Sequence, residues 1–235
     1  MDTFLVTCEH GGNRIPAAYQ PFFADLQDLL ATHRGYDRGA LVMARDLAKA
    51  FGAPLVSSTT SRLLVDLNRS VGHPQLFSDA LPRTPPSLRT EIVSRYHTPW
   101  RERVEDLVRE AVAAGHRVVH LSSHSFTPVL HGRVRDTDVG LLHDPSRHLE
   151  AGLCARWREI LIASAPQLRV RRNHPYQGRC DGLTTHLRGR FDPGAYLGIE
   201  LEINQNEISA TPRGWKPLRD LVITSLRSAL DHEFS

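Results

Sequence analysis

A single α/β domain with a central mixed, mostly parallel sheet flanked by helices is the fold class that this sequence predicts. Three observations predict it. Short apolar runs of strand length alternate with longer segments of helical periodicity. The chain has 235 residues, 40% hydrophobic and 23% charged, the balance of a packed globular protein and not of a disordered one. The unusual polar residues fall just after the apolar runs, and ligands of open α/β sheets bind outside the carboxyl ends of the strands. No repeat, linker or low-complexity tract divides the chain, so residues 1–235 read as one domain.

The elements follow in order. Residues 3–8, TFLVTC, form the first predicted strand, which runs into EHGGNRIP. Gly11 and Gly12 permit a sharp turn or close approach to a bound group, and Glu9, His10, Asn13 and Arg14 exceed what a turn requires. A short helical segment ends over 26–30. Within 37–51, Leu41, Val42, Ala44, Leu47, Ala48 and Phe51 recur at helical spacing, with Gly52 as the stop. Residues 53–57 read as a strand. In 61–70, Leu63, Val65 and Leu67 alternate with Asp66 and Asn68, as near a strand end. Residues 71–86, rich in proline and turn formers, read as a surface loop near the site.

An amphipathic helical region spans 89–114, interrupted at Pro99. Residues 116–123 are a strand that delivers the segment HSFTP, 124–128, at its carboxyl end. A strand at 138–142, a helix at 148–164 and a strand at 168–172 come next. Residues 179–193 read as a long polar loop, 196–203 as the last strong strand and 217–234 as a closing helix.

The formal net charge is +3, with acids and bases interspersed and no block of like charge, so nucleic acid is not the expected partner. Basic residues set singly beside turns suit a small anionic molecule. No apolar run approaches the roughly 18 to 20 residues that span a bilayer, and the N-terminus carries no basic segment followed by an apolar stretch. The expectation is a cytoplasmic protein without a membrane partner. Cys8, Cys154 and Cys180 are an odd number without CxxC spacing, which supports neither a disulfide framework nor a cysteine zinc site. Cys8 reads as a packing residue, because the neighbouring Glu9 disfavours its thiolate. No heptad marks a dimer seam, and the oligomeric state is left open.

His10 and His124 each follow an apolar strand run, so two distant histidines could converge on one cation. In a chain with 13 histidines, a structural role competes with ligation for each of them. An oxygen ligand would complete an open two-histidine, one-carboxylate site. Asp37 in GYDRG is the candidate, although an aspartate at a helix start also serves as an N-cap. Glu9 and Asn13 are the other oxygen donors near His10.

In GIELEINQ, residues 198–205, Glu200 and Glu202 share one face of an otherwise apolar strand. Two carboxylates there are costly unless paired, bound to a cation or working as acid and base, the alternative being an edge strand with a solvated face. A carboxylate beside an activated water takes its proton and passes it to a leaving nitrogen. Periodicity does not choose between the two glutamates. Arg62, Asn68 and Arg69 supply forked and amide donors suited to substrate carboxylates, or else Arg69 pairs with Asp66. In NHPYQG, residues 173–178, Tyr176 is placed to line a pocket or donate to an oxyanion.

Taken together, CEHGGNRIP at 8–16, GYDRGA at 35–40, SRLLVDLNRS at 61–70, HSFTP at 124–128, NHPYQG at 173–178 and GIELEINQ at 198–205 resemble the N-formylglutamate amidohydrolase family. The resemblance implies a phosphorylase/hydrolase-like fold related to the zinc carboxypeptidases and aminoacylases. It implies His10 and His124 as metal ligands, Asp37 as the third, and Glu202 as the catalytic glutamate. Asn68 and Arg69 resemble the pair that holds substrate carboxylate, with Arg62 as helper; Asn13 and Tyr176 are the further substrate-binding candidates, from their own positions in the sequence. One divalent ion is implied, zinc first, with cobalt, iron, nickel or manganese also compatible with the donors. The chain departs from relatives that carry a basic residue soon after the catalytic glutamate, having Asn204 and Gln205 there. The implied activity is hydrolysis of the formyl amide of N-formyl-L-glutamate or a related N-acyl amino acid. A carboxypeptidase-like hydrolase, another N-acyl-amino-acid hydrolase and a non-catalytic binder of anionic metabolites are the alternatives.

Overall fold

A computed structural model describes residues 1–79, 84–209 and 211–231. Its strands are β1 (Asp2–Cys8), β2 (Leu55–Ser57), β3 (Arg117–Phe126), β4 (Val129–Leu130), β5 (Arg133–Val134), β6 (Val139–Leu142), β7 (Val170–Arg172) and β8 (Tyr196–Asn204). Six of them form the central sheet in the order β2-β1-β3-β8-β6-β7, and β4 and β5 form a small hairpin. The pairs β1 to β2, β1 to β3 and β3 to β8 are parallel. β6 runs antiparallel to β8 and parallel to β7, so the sheet is mixed and mostly parallel, as the sequence predicts.

The helices are α1 (Gln27–Leu30), α2 (Ala40–Phe51), α3 (Pro86–Ile92), α4 (Thr98–Ala113), α5 (His148–Ser164), α6 (Leu183–Arg188) and α7 (Lys216–Asp231). Strand alternation sorts the two faces of the sheet. On one face, Val6, Val119, Leu121, Leu197, Ile199, Leu201 and Ile203 pack with Met43 and Leu47 of α2, Leu153, Trp157 and Leu161 of α5, and Val222 and Leu226 of α7. Trp157 also satisfies its indole N–H on Ser225 Oγ at 2.9 Å. On the other face, Leu5, Val118 and Tyr196 pack with Val104 and Val108 of α4 and Leu183 and Leu187 of α6. Toward the carboxyl ends of the same strands that face turns polar: Thr7 on β1, His120, Ser122 and His124 on β3, Glu200 and Glu202 on β8, all buried.

Several sequence expectations need correction. β8 is not an edge strand with a solvated face; all nine of its residues are buried between β3 and β6. β3 runs on to Phe126, so His124 lies within the strand instead of after it. The 61–70 segment is a series of turns, with Leu64 N–H on Ser61 O and Arg69 N–H on Asp66 O. Its Leu63, Leu64, Val65 and Leu67 all turn inward onto a separate cluster with Tyr19, Phe23 and Ile92, which is why they mimic strand alternation. The presumed loop 179–193 contains α6, whose two core leucines are too few to register as a helical period. The 89–114 region is α3, a widened turn over Val93–His97 and then α4. The helical backbone runs on through Val93–His97 into α4 instead of breaking at Pro99; the proline directly follows the widened turn, in which Thr98 N–H reaches back to Val93 O. The short helical segment expected to end over 26–30 is a 3-10 stretch, Ala17–Leu26, that runs into α1. α2 begins at Ala40, behind Gly39 at φ 83°, and ends as expected at Gly52, at φ 60°. Residues 232–234 of the expected closing helix and 80–83 of the expected loop lie outside the described residues. Among the described residues no helix is long and apolar enough to cross a membrane.

Candidate active site

His10, Asp37 and His124 are all buried, and one donor atom from each lies within 4.8 Å of the others. His10 leaves β1 on a turn laid directly against residues 58–59: Gly11 N–H donates to Ser58 O at 3.0 Å. A Cβ at Gly11 would stand 2.8 Å from Ser58 O, and one at Gly12 would stand 2.9 Å from Thr59 Cα, so this approach requires glycine. Asp37 N–H donates to His10 O at 2.9 Å, which ties the loop before α2 to the same turn. The Asp37 carboxylate does not cap α2, whose N-cap is Gly39 without a side-chain bond. Its Oδ2 lies 3.4 Å from His10 Nδ1 and 3.0 Å from His124 Nδ1. The backbone N–H of Ser125 reaches that oxygen at 3.4 Å.

The remote nitrogens of both rings have partners. His10 Nε2 lies 2.7 Å from Asp66 Oδ1, and His124 Nε2 lies 2.8 Å from Ser122 Oγ and 3.3 Å from Glu9 Oε2. Acceptors behind Nε2 leave both Nδ1 atoms facing Asp37 Oδ2, the arrangement in which outer carboxylates orient metal-binding imidazoles. Two imidazoles and a carboxylate are a donor set for zinc and for neighbouring divalent ions. The electrostatics agree. Burial opposes charge on His124, yet the Asp37 hydrogen bond and the Glu9 and Asp37 charges push it up to about 10. Burial and Arg62 oppose charge on His10 as well, and Asp66 and Asp37 still raise it. Burial works against ionisation of Asp37, but His10, His124 and Arg62 hold it far below the usual carboxylate range. The residues therefore fit a cation: this point in the protein favours positive charge.

Glu202 is 5% exposed and its Oε2 is buried with no hydrogen-bond partner among the described residues. Burial, with the Asp37 and Glu200 charges, pushes its carboxyl up to about 8 against the pull of His124 and Arg62. Glu200 differs, because its Oε1 accepts the Thr184 hydroxyl at 2.6 Å. Across the sheet, Gly140 of β6 stands opposite Glu202. A Cβ at Gly140 would lie 3.1 Å from Glu202 Cβ and 2.3 Å from His174 O, so glycine lets the 173–178 loop fold over the strand.

These groups share a cavity of about 410 Å³ lined by His10, Asp37, Arg62, Asn68, Arg69, His124, Tyr176, Glu200 and Glu202, together with Ser125, Gln177, Cys180 and Asp181. Cavities of about 600 and 670 Å³ lie elsewhere, along α4 and beside residues 71–79; chemistry, not size, selects the smaller one. Arg62 clamps Asp66 Oδ2 through Nε and Nη2 at 3.1 and 2.7 Å and reaches Asp37 Oδ1 with Nη1 at 3.4 Å. The pairing anticipated between Asp66 and Arg69 is therefore made by Arg62. Arg69 Nη1 instead donates to Asp181 O at 2.6 Å, and its own carbonyl is held by His97 and Arg101 at 2.7 and 2.9 Å. Asn68 Oδ1 accepts Leu183 N–H at 2.7 Å, which leaves Nδ2 as a donor. The Tyr176 hydroxyl accepts Arg135 Nη1 at 2.8 Å.

Asn13 corrects an expectation. It is exposed, it is absent from the cavity wall, and its Nδ2 donates to Leu30 O at 3.1 Å. It buttresses the turn and does not face the site. Glu9, offered by the sequence as an alternative oxygen donor beside His10, lies behind His124 instead, and Ser122 and Asp66 are functional neighbours that the sequence reading misses. For Asp66 a signal existed, a carboxylate four residues after Arg62 inside an apolar run.

A profile of the family described as N-formylglutamate amidohydrolase matches residues 2–209. Among solved structures, gene product Atu2144 from Agrobacterium tumefaciens is similar at 32% identity, covering 99% of this chain and 92% of that one, with a TM-score of 0.85. An N-formylglutamate amidohydrolase from Ralstonia eutropha JMP134 shares the fold at 18% identity, covering 97% of this chain and 94% of that one, with a TM-score of 0.71. A search of curated protein sequences gave no match.

Proposed function

This chain belongs to the N-formylglutamate amidohydrolase family, and we propose that it is a metal-dependent hydrolase of N-formyl-L-glutamate or a related N-acyl amino acid. The products are formate, or another carboxylate, and the free amino acid. One observation carries the reading: Glu202, whose buried Oε2 has no hydrogen-bond partner among the described residues, lines the same cavity as His10, Asp37 and His124. His10, Asp37 and His124 would hold a divalent cation, which when bound would supply Lewis acidity toward a water and the scissile carbonyl.

Glu202 takes the proton of the attacking water and returns it to the departing nitrogen. Without a metal, burial and the Asp37 and Glu200 charges push its carboxyl up to about 8; a cation at the three donors would draw it down and favour the carboxylate that takes the proton. Arg69 and the Nδ2 of Asn68 hold a substrate carboxylate at the cavity wall, a charge-assisted contact that orients the amide. Arg62, engaged with Asp66 and Asp37, keeps those acids in place and offers its remaining donor capacity to the substrate. Tyr176 accepts from Arg135 and retains its own O–H for the oxygen that becomes negative during attack. The ligand is a small anionic amino-acid derivative.

The test is formate release from N-formyl-L-glutamate by the purified protein, before and after chelation, with Zn²⁺ or Co²⁺ restored. Activity lost on chelation and regained on metal addition supports both chemistry and substrate. A metal-loaded protein inert toward formyl, acetyl and longer N-acyl amino acids alike would overturn the reading.

A further inference from the structure

Glu9 is fully buried and forms no part of the cavity wall, yet it is bound into the site. Its Oε1 accepts the Thr7 hydroxyl at 2.8 Å and its Oε2 accepts the Ser122 hydroxyl at 2.9 Å. Each hydroxyl has a single proton, and both are directed at Glu9. Ser122 Oγ, 2.8 Å from His124 Nε2, can then only accept from that nitrogen, so Nε2 must carry the ring proton. The same logic holds on the other side. Thr7 Oγ1 lies 2.9 Å from His120 Nε2 and accepts from it, while His120 Nδ1 takes the Tyr196 hydroxyl at 2.7 Å.

We propose that Glu9 is a positioning residue that fixes the proton of His124 on Nε2 and thereby makes Nδ1 the atom offered to the divalent cation. This rests on the metal-dependent reading above. Glu9 stands behind His124, 3.3 Å from Nε2, on the side away from Asp37, and is an orienting group and not a ligand. Its charge sets the direction of two hydroxyls, and the hydroxyl of Ser122 sets the tautomer of the ring.

Glu9→Gln exposes the mechanism, because it keeps the shape and replaces one acceptor by an amide NH₂. Facing Ser122, that amide reverses the hydroxyl, which then donates to His124 Nε2. The ring proton moves to Nδ1, where Asp37 Oδ2 at 3.0 Å receives it, and every group stays bonded. Facing Thr7, the amide would turn that hydroxyl toward His120 Nε2 and move the His120 proton to Nδ1, and the Tyr196 hydroxyl would lose the acceptor it has there. The first arrangement is favoured, and it closes Nδ1 to the cation.

The experiment measures Zn²⁺ affinity of the full chain by chelator competition for wild type, Glu9→Gln and Ser122→Ala, with nitrogen NMR of the cadmium-loaded protein to identify the coordinating ring atom of His124. The expected result is coupling through Nδ1 with a protonated Nε2 in wild type, and affinity about 10- to 100-fold weaker in Glu9→Gln. Ser122→Ala leaves Glu9 facing Nε2 and is expected to bind more tightly than Glu9→Gln. Coupling through Nε2 in wild type, or unchanged affinity in Glu9→Gln, would overturn the proposal. Should Glu9→Gln fail to fold, the wild-type spectrum alone decides. A folded wild type that binds no divalent ion at all overturns the metal reading itself, an outcome distinct from either of these.

Discussion

His124 on β3 and Glu202 on β8 are direct partners in the parallel register of the two strands. The proposed metal ligand and the proposed base are thus separated by the spacing of one sheet, which rigid strands hold more precisely than loops could. Asp37 and the carboxylate-binding candidates arrive on loops above it.

Replacing Glu202 by Gln is expected to lower kcat by about 10²- to 10⁴-fold with metal content unchanged, read from steady-state kinetics and metal analysis on one preparation. The same variant has a signature in stability. The folded-state pKa of Glu202, about 8, lies above the ordinary 4.5, so its contribution to stability is present at low pH and lost as pH rises through that interval. Metal-free Glu202→Gln should therefore be the more stable protein at pH 8, by chemical denaturation.

Asp37→Asn should weaken metal binding and, in the metal-free protein, let the His124 pKa fall from about 10. An NMR titration that finds His124 unmoved in this variant would refute the placement of Asp37 between the rings.

Arg69→Ala and Asn68→Ala should raise KM for N-formyl-L-glutamate. Loss of a charged hydrogen bond, about 1.5 to 3 kcal/mol, corresponds to roughly 10- to 100-fold for Arg69. Asn13→Ala should leave KM unchanged, because its amide reaches Leu30 O and not the cavity. Equal effects from Asn13 and Arg69 would contradict this division.

His120, buried between Thr7 and Tyr196, is pushed down from 6.5 to about 4, chiefly by burial. The unfolded chain takes up this proton first as pH falls, so the contribution is intact above 6.5 and gone by about 4, a loss on the order of 3 kcal/mol. Urea unfolding from pH 7 to 4 reads the slope, which His120→Gln should flatten.

Gly140→Ala places a methyl group 2.3 Å from His174 O and 3.1 Å from Glu202 Cβ. Overpacking of this kind costs about 1 to 3 kcal/mol and shifts the loop that carries Tyr176 against the base. A lower thermal midpoint together with reduced kcat/KM is the expected pair of results.

The sequence by itself determined the α/β class, because strand and helix periods are local. It determined the extent of α5, whose apolar residues recur over four turns, and the stop of α2 at Gly52. It also presented His10, Asp37, His124, Arg62, Asn68, Arg69 and Glu202 as residues unusual for their surroundings. Only the tertiary structure decided what those residues meet. Glu200 and Glu202 have the same period on the same strand; Glu200 finds Thr184, while Oε2 of Glu202 finds no hydrogen-bond partner among the described residues, and the difference lies in α6, which is too short to read from the sequence. Asp37 could cap α2 or face two histidines, and the loop folded onto His10 chose the second. Asn13 and Glu9 both read as oxygen donors beside His10; Asn13 turned away to Leu30, while Glu9 entered the site from behind through Thr7 and Ser122. Local periodicity follows from backbone geometry within a few residues, whereas the protonation and orientation of a buried group depend on every partner that the folded chain brings within hydrogen-bond reach.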